Sequence, residues 1–577
     1  MFTATAALLA AGCHWLDKEP LSQVTPDQYF TNESAVLSFV DGRYTEFLSA
    51  HGGWSSIDGY DYGMFQKDAT TDDQISASGP GDKYLGLWLV PQTGGGFEFS
   101  NIYKINWFLN QIKAEYEAGT IGGSKANIDR YIGEAYFLRA WAYFSKLQSF
   151  GDYPIVTEPI ADKKEDLIAA SVRKPRNEVA RFILSDLDRA IELMGTTQMT
   201  NTRIGQKAAW LLKSRVALFE GSWLKNFAGT AFVPGGPEWP GGNGYQYPAG
   251  SIESEYGWFF GQAMEAAEKV ADNMTLTENT GTVQQSASDP VNPYMDMFGT
   301  ESLLDNSEVI LWCQYASNLV GHSVVMFAQR GNNGTGLTRG LIDSYLCKDG
   351  LPVYASPLYK GDKTFSDVRE GRDTRLSCFL KEPGQKNWIY PTTEANQAIE
   401  TEPVPQFTGA TVTYCTGYST RKGNSLYQKQ AGQRSSTTGC IVMRGAEALL
   451  NYIEACYELN GSLNAKAESY WKALRRRAGV DEGAYTAGQL VDAMRYNIRR
   501  ERRSEFMVEG MRWTDLLRWR ALDQMVTTPY NPEGIHIWSD GMQGIYAAAG
   551  VALNNDGSSP SNVSPKSASE WLRPYQF

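Results

Sequence analysis

The chain has 577 residues, of which 42% are hydrophobic and 20% are charged, a composition typical of an ordinary globular protein with a large core. Its formal net charge is −12, and this acidic balance disfavours nucleic acid and anionic membrane surfaces as partners. The sequence contains no apolar run of the roughly 20 residues that a membrane-spanning helix needs.

The first residues have features of a lipoprotein signal. A short run of apolar and small residues, from Ala4 to Gly12, is followed directly by Cys13. Such a run typically precedes the lipid-bearing cysteine of a bacterial lipoprotein, although the basic segment that usually begins a signal is missing. We expect residues 1–12 to be a signal remnant and Cys13 to be the lipid anchor. Cleavage elsewhere, with Cys13 incidental, is the alternative.

Apolar residues recur at helical spacing along much of the chain. They predict helices over residues 31–48, 101–117, 127–150, 177–194, 208–221, 258–273, 444–459, 465–478 and 490–509. In the segment 127–150 large and small side chains alternate on one face, as in Phe137, Ala140 and Phe144, which lets two helices approach closely. We therefore predict a mainly α fold, a tetratricopeptide-like scaffold of helix hairpins with long irregular loops and a few short strands. The strict repeat consensus is absent.

Aromatic residues also occur in three stretches outside the predicted helices. These are residues 51–99, residues 223–256, and a predicted strand at 308–314 with the loop that follows it. Flat rings suit the apolar C–H faces of sugars, and nearby Asn, Asp, Gln and Arg side chains suit the hydroxyls. The candidate ligand-binding residues are Trp54, Tyr60, Tyr62, Trp88, Trp239, Tyr245, Trp312 and Tyr315. For each of them a role in the core or in packing its loop stays open.

The sequence contains none of the local motifs that mark common catalytic or cofactor sites. HExxH, GxSxG, the P-loop and the dinucleotide-binding fingerprint are absent, and the four histidines are far apart. Asp68, Asp72, Asp73 and Asp82 do not have the spacing of an EF-hand, so we predict no metal and no cofactor. A glycosidase stays open as an alternative, because its two carboxylates carry no local motif.

Six cysteines follow Cys13, all in the second half of the chain. They are Cys313, Cys347, Cys378, Cys415, Cys440 and Cys456. Cys-x-x-Cys is absent, which argues against a zinc ribbon or a thioredoxin motif. We expect buried free thiols, with disulfide pairing in an exported protein as the alternative.

The segment 496–520 combines dense charge with aromatic rings. Its arginines and carboxylates lie three or four residues apart, so that opposite charges can meet on one side of a helix. Guanidinium groups stack on rings and bind carboxylates in a fork. Because Phe506, Trp513 and Trp519 are threaded among these charges, we predict a packed polar network rather than a solvated helix.

Several segments resemble landmarks of the SusD/RagB family of cell-surface nutrient-binding lipoproteins, in the order that the family has them. They are LDKEP at 16–20, TDD at 71–73, EAYFLRAWAYF at 134–144, GRDTRL at 371–376, RGAEALLNYIEA at 444–455 and ERRSEFMVEGMRWTDLLRW at 501–519. The resemblance extends from Cys13 to about Trp519. One departure is Gly445, which stands where the family has an aromatic residue.

The resemblance implies a single SusD-like unit over residues 13–577, with an N-terminal SusD-like part at 13–230 and a C-terminal SusD/RagB part at 300–577. It implies a surface-exposed protein of the outer membrane, anchored by lipid at Cys13, that captures an oligosaccharide and passes it to a SusC-like TonB-dependent transporter. It implies no chemical step. Two alternatives stay open, namely the same fold with a peptide or another nutrient as ligand, and a helical glycosidase.

Overall fold

The computed structural model describes residues 29–52, 63–76, 89, 96–196, 199–317, 319–331, 334–393, 396–405, 412, 414–483, 492–525, 534–537 and 539–550. The lipoprotein signal and Cys13 lie outside the described residues.

Helices dominate the described part of the chain, and the strands are short. The helices of the first half are α1 (Glu33–Phe47), α2 (Ser100–Ala118), α3 (Lys125–Phe150), α4 (Lys164–Ala170), α5 (Arg176–Met194), α6 (Gln206–Asn226) and α7 (Ile252–Ala271). Those of the second half are α8 (Pro293–Asp296), α9 (Val324–Arg330), α10 (Arg339–Ser344), α11 (Phe365–Arg369), α12 (Thr374–Phe379), α13 (Ala446–Asn460), α14 (Ala465–Ala478), α15 (Ala493–Glu505), α16 (Arg512–Arg518) and α17 (Asp540–Ala548). The strands are β1 (Gln74–Ile75), β2 (Val309–Cys313), β3 (Gly336–Leu337) and β4 (Cys440–Arg444).

The predicted helices are confirmed, with small shifts at their ends. Polar residues just before the first turn fix several of the starts, because a side-chain oxygen there accepts a hydrogen bond from a backbone N–H that has no partner within the helix. Asn32 caps α1 through the N–H of Ala35, and Asp492 caps α15 through the N–H of Arg495. The helix α3 ends at Gly151, whose φ of 69° ends the helical path at little cost for glycine.

Successive long helices pack side by side. The pairs α2–α3, α3–α5, α5–α6 and α6–α7 are in contact, and α13 then packs on both α6 and α7. Glycine permits two of these close approaches: a Cβ at Gly133 of α3 would lie 2.9 Å from Met194 Cγ of α5, and one at Gly221 of α6 would lie 3.0 Å from the Phe260 ring of α7. The mainly α, helix-hairpin prediction is therefore confirmed. Among the described residues, no helix has the length and apolarity to cross a bilayer.

Two hydrophobic cores lie on either side of the β2–β4 sheet. The helical core is formed mainly by α1 to α3, α5 to α7 and α13 to α15, whereas the second core gathers residues of the C-terminal half such as Phe298, Tyr345 and Phe379. Along β2, Leu311 and Cys313 belong to the helical core and Trp312 to the second core. A strand that is buried on both faces has an unbroken apolar sequence, which explains Val-Ile-Leu-Trp-Cys.

The charge-rich segment 496–520 forms the buried polar network that its sequence predicts. Glu505, the last residue of α15, accepts hydrogen bonds from Arg444 at 2.6 Å, Arg477 at 2.5 Å and Arg375 at 2.8 Å, and the hydroxyl of Tyr294 donates a further one. Burial alone would raise the pKa of Glu505, but these three arginines hold it well below its usual value. The carboxylate is therefore ionised and joins α12, β4, α14 and α15.

A second ionic cluster joins the N-terminal half to the same segment. Arg512 binds Asp72 through two hydrogen bonds of 2.8 Å, and Arg503 donates to Asp73 at 2.6 Å. All four side chains are largely buried. The TDD landmark at 71–73 is thus a structural element that is paired with arginine. The two arginines supply the counter-charges of Asp72 and Asp73.

The network around Glu505 predicts a large stability effect. Replacing Glu505 by Gln (Glu505→Gln) leaves Arg375, Arg444 and Arg477 without their shared counter-charge in a buried site, and breaking a buried ion pair in this way costs about 3–5 kcal/mol. We expect this loss in the free energy of unfolding, measured by urea denaturation. The matched control, Glu468→Gln, removes one charge from an exposed position of α14 and should cost less than about 1 kcal/mol. Equal effects of the two variants would contradict the proposed role of Glu505.

The buried carboxyl of Asp68 predicts a pH effect. Burial, and then the charge of Asp73, raise the pKa of Asp68 to about 8, although the N–H of Gly510 donates to it. A raised folded-state pKa means that Asp68 contributes stability fully below about pH 4 and loses that contribution as the pH rises towards 8. Asp68→Asn should not show this loss. The melting temperature of the variant minus that of wild type should therefore increase as the pH is raised from about 5 to about 8.5. The exposed Asp305→Asn is the control, and a constant difference for Asp68→Asn would refute the assignment.

Candidate functional site

A cavity of about 370 Å³ opens where the helical core, the second core and the N-terminal segment meet. Its walls come from α3, α6, β4, the turn between α15 and α16, and the residues on either side of segment 53–62. The lining residues on which its chemistry depends are Lys67, Trp141, Gln148, Arg215, Glu447 and Glu509. Its volume is within the range of small-molecule sites, roughly 300–1,000 Å³.

One face of α3 supplies the aromatic wall of the cavity. Trp141, Ser145 and Gln148 follow one another at spacings of four and three residues, so they lie on one side of the helix. Trp141 is only partly buried, and its ring packs against Phe137 with the centroids 5.9 Å apart. A ring on a long helix is held in a fixed orientation by its neighbours. The cavity therefore combines a flat apolar surface with a hydroxyl and an amide.

Charged groups line the other side of the cavity, and most of them are paired with each other. Arg215 of α6 binds Glu447 of α13 through two hydrogen bonds of 2.6 Å, a fork that fixes both side chains. Lys67 donates to the hydroxyl of Ser49 at 2.7 Å. Glu509 accepts hydrogen bonds from Lys422 at 2.6 Å and from Arg444 at 2.7 Å. This wall is polar but nearly balanced in charge.

Glu509 of the cavity wall is poorly suited to acid catalysis. Burial would raise the pKa of Glu509, but Arg444 and Lys422 hold it below its usual value, so this group is ionised at neutral pH. A general acid needs a raised pKa instead. Glu447 is bound by the guanidinium of Arg215. Among the described residues no cluster of His, Cys, Asp and Glu has an arrangement that would hold a metal ion.

Four of the predicted aromatic residues lie outside the described residues. They are Trp54, Tyr60, Tyr62 and Trp88. The described residues on either side of the first three, His51 and Met64, both line the cavity. A ligand role for these four therefore stays a prediction.

Trp239 and Tyr245 lie in a separate aromatic cluster near the start of α5. The indole N–H of Trp239 donates to Asp152 at 2.8 Å, and the hydroxyl of Tyr245 donates to Glu178 at 2.9 Å. Their rings meet edge to face, with the centroids 5.7 Å apart. Both side chains are partly buried and anchor the glycine-rich loop to the helices. They do not line the cavity, so a ligand role for them stays a prediction for a separate surface.

Trp312 and Tyr315 require a correction. Trp312 is 1% exposed and its indole N–H donates to Asn201 at 2.7 Å, whereas Tyr315 is 5% exposed and its hydroxyl bonds to the backbone of His51. A ring that is enclosed in this way offers no face to a ligand. The cause is the burial of β2 on both sides, which places Trp312 in the second core. These two residues are structural in this conformation.

The sequence reasoning missed Trp141, Gln148 and Arg215. In the sequence Trp141 stands among the apolar residues of its helix, because Phe137, Ala140 and Phe144 occur within the same stretch. The available signal was the separate stripe of Trp141, Ser145 and Gln148, which mixes a ring with polar side chains. No local pattern joins Arg215 to Glu447, since 232 residues separate them in the chain.

Comparisons with known proteins agree with this architecture. Residues 314–549 match the model of the SusD family, and residues 97–218 match a family described as starch-binding and associating with the outer membrane. A SusD-like protein of Formosa agariphila is 23% identical over 544 residues, which cover 92% of this chain and 91% of that protein.

Solved structures show the same fold. A SusD-like carbohydrate-binding protein of Bacteroides fragilis superposes with a TM-score of 0.61 at 19% identity, covering 93% of this chain and 94% of that one. A surface glycan-binding protein of Bacteroides fluxus gives a TM-score of 0.52 at 18% identity, covering 88% of this chain and 93% of the other.

Proposed function

Because this chain belongs to the SusD/RagB family, we propose that it is a lipid-anchored protein of the outer membrane that binds an oligosaccharide at the cell surface. It passes the bound oligosaccharide to a SusC-like TonB-dependent transporter. The protein performs no chemical step and holds the ligand by stacking and hydrogen bonds. The relatives described as starch-binding or glycan-binding support this ligand class.

The observation that carries the proposal is the composition of the cavity around Trp141. A sugar ring has an apolar C–H face and a fringe of hydroxyls, and both need partners when water is displaced. The Trp141 ring suits the apolar face, while Gln148, Ser145 and Lys67 suit the hydroxyls. The proposed binding surface also includes Trp54, Tyr60 and Tyr62, because His51 and Met64, which lie on either side of their segment, line the cavity.

The charge balance of the cavity favours a neutral sugar over a peptide. Arg215 and Glu447 neutralise each other. Glu509 is paired with Lys422 and with Arg444, and Arg444 is shared with Glu308 and Glu505. A peptide terminus or a charged side chain would need an unpaired opposite charge, whereas a neutral hydroxyl bonds to either partner of an ion pair. A glycosidase needs a carboxylic acid that stays protonated near neutral pH, and the lowered pKa of Glu509 works against that role for Glu509.

Trp141→Ala should weaken glycan binding while leaving the fold intact. Loss of one stacking ring should raise the dissociation constant for the best ligand of a polysaccharide panel by about ten-fold or more, measured by isothermal titration calorimetry. Gln148→Ala should act in the same direction with a smaller effect. The melting temperature should change little, since Trp141 is only partly buried.

The matched control is Trp210→Ala, which removes a partly buried tryptophan of α6 that does not line the cavity. This variant should bind as wild type does. Unchanged affinity in Trp141→Ala would place the ligand elsewhere on the protein. New reducing ends after incubation of wild type with the bound polysaccharide would mean that the protein is a glycosidase.

Cys13→Ser should release the protein from the membrane. Expressed behind a complete lipoprotein signal, the wild type should fractionate with membranes and incorporate labelled palmitate, because several acyl chains on one cysteine anchor a protein stably. The variant should lose both properties. Cys456→Ser, a change at a buried cysteine, is the control and should keep them. A Cys13→Ser protein that remains lipid-labelled would refute the assignment of the anchor.

A further inference from the structure

All six cysteines after Cys13 are unbridged and buried in the structure, as the sequence predicts. Two of them nevertheless face each other across the β2–β4 sheet. Cys313 is the last residue of β2, Cys440 is the first residue of β4, and the antiparallel register places them directly opposite. Both side chains belong to the helical core, so they project from the same face of the sheet.

This placement meets the geometric requirements of a disulfide. Directly opposed residues of antiparallel strands have their Cα atoms about 4.5–5.5 Å apart, and disulfides join cysteines whose Cα atoms are about 4.4–6.8 Å apart. The other described cysteines have different neighbours: Cys378 lies against the amide of Asn292, and Cys415 donates to the carbonyl of Ile75.

The surroundings shift the pKa values of the two thiols in opposite directions. Burial raises the pKa of Cys313 well above its usual value, and the neighbouring Cys440 raises it further. Burial also opposes ionisation of Cys440, but the neighbouring Cys313 and the nearby imidazole of His51 lower the pKa of Cys440 below its usual value. The nucleophile of thiol–disulfide exchange is a thiolate.

We propose that Cys313 and Cys440 form a disulfide when the protein folds in an oxidising compartment outside the cytoplasm. The inference rests on the register of the sheet and the shared face of the two side chains, and it does not depend on the ligand. Export is part of the proposed function, and the oxidising compartment rests on it.

The oxidant is a protein or small molecule that carries a reactive disulfide. The thiolate of one of the two cysteines attacks one of its sulfurs, forming a mixed disulfide and releasing the other sulfur as a thiolate. The second cysteine then loses its proton to water and attacks the sulfur of the first, which forms the Cys313–Cys440 bond and releases the second sulfur of the oxidant. Two electrons pass from the two cysteines to the oxidant. Because both thiols are buried in the folded protein, the exchange takes place before β4 closes over β2.

The bond would stabilise the wall of the cavity. Gly439 and Ile441, on either side of Cys440, both line it, and the thiol of Cys313 bonds to the carbonyl of Ser49, another lining residue. A crosslink between distant parts of the sequence restricts the unfolded chain and so favours the folded state. The β2–β4 register, on which the division between the two cores depends, would then be fixed covalently.

The test is peptide mapping of the full chain by mass spectrometry. The protein is isolated from outer membranes, or refolded with oxidised glutathione, then denatured with N-ethylmaleimide present and without reductant. We expect a Cys313–Cys440 crosslinked peptide and alkylation of Cys347, Cys378, Cys415 and Cys456. A reductant should abolish the crosslink and lower the melting temperature by a few degrees.

The matched variants separate this pair from the other cysteines. Cys313→Ser should remove both the crosslink and the effect of reductant on melting, whereas Cys456→Ser should keep both. Alkylation of all six cysteines in both unreduced wild-type preparations would overturn the proposal, as would a crosslink between any other pair. These wild-type results decide the question even if Cys313→Ser does not fold.

Discussion

The buried carboxylate of Glu505 is the interaction on which the C-terminal half depends. Arginines from three elements meet on it: Arg375 from α12, Arg444 from the end of β4 and Arg477 from α14. Each of these charges would be costly to bury alone, so each element must deliver its guanidinium to the same point. The result is a fixed position for β4, which carries one wall of the cavity and separates the two cores.

The acidic residues Asp72 and Asp73 extend this constraint to the N-terminal half. Their partners, Arg503 and Arg512, flank Glu505 along the chain, so both ionic clusters act on the turn between α15 and α16. The residues just before the acidic pair, including Lys67, are thereby held against that turn. The cavity forms where these parts meet, and its shape depends on these buried ion pairs.

The described residues include two different kinds of aromatic surface. Trp141 stands on a long helix that packs against its neighbours on several sides, which gives its ring one defined orientation. Within the loop segment 223–256, Trp239 binds Asp152, which follows α3, and Tyr245 binds Glu178 of α5, so that both rings hold their loop against the helical body. A binding protein benefits from the first kind of surface, because a preorganised ring loses little conformational freedom when the ligand binds.

The sequence by itself determined the helices, the polar character of segment 496–520 and the buried state of the cysteines, because caps, periodicity and residue type act over a few residues. The tertiary structure alone decided which charges pair and which rings remain accessible. Trp312 and Trp141 are both tryptophans amid apolar residues, yet Trp312 is buried in the second core and Trp141 lines a cavity. The difference lies in what packs across each ring, and those neighbours come from parts of the chain far away in sequence.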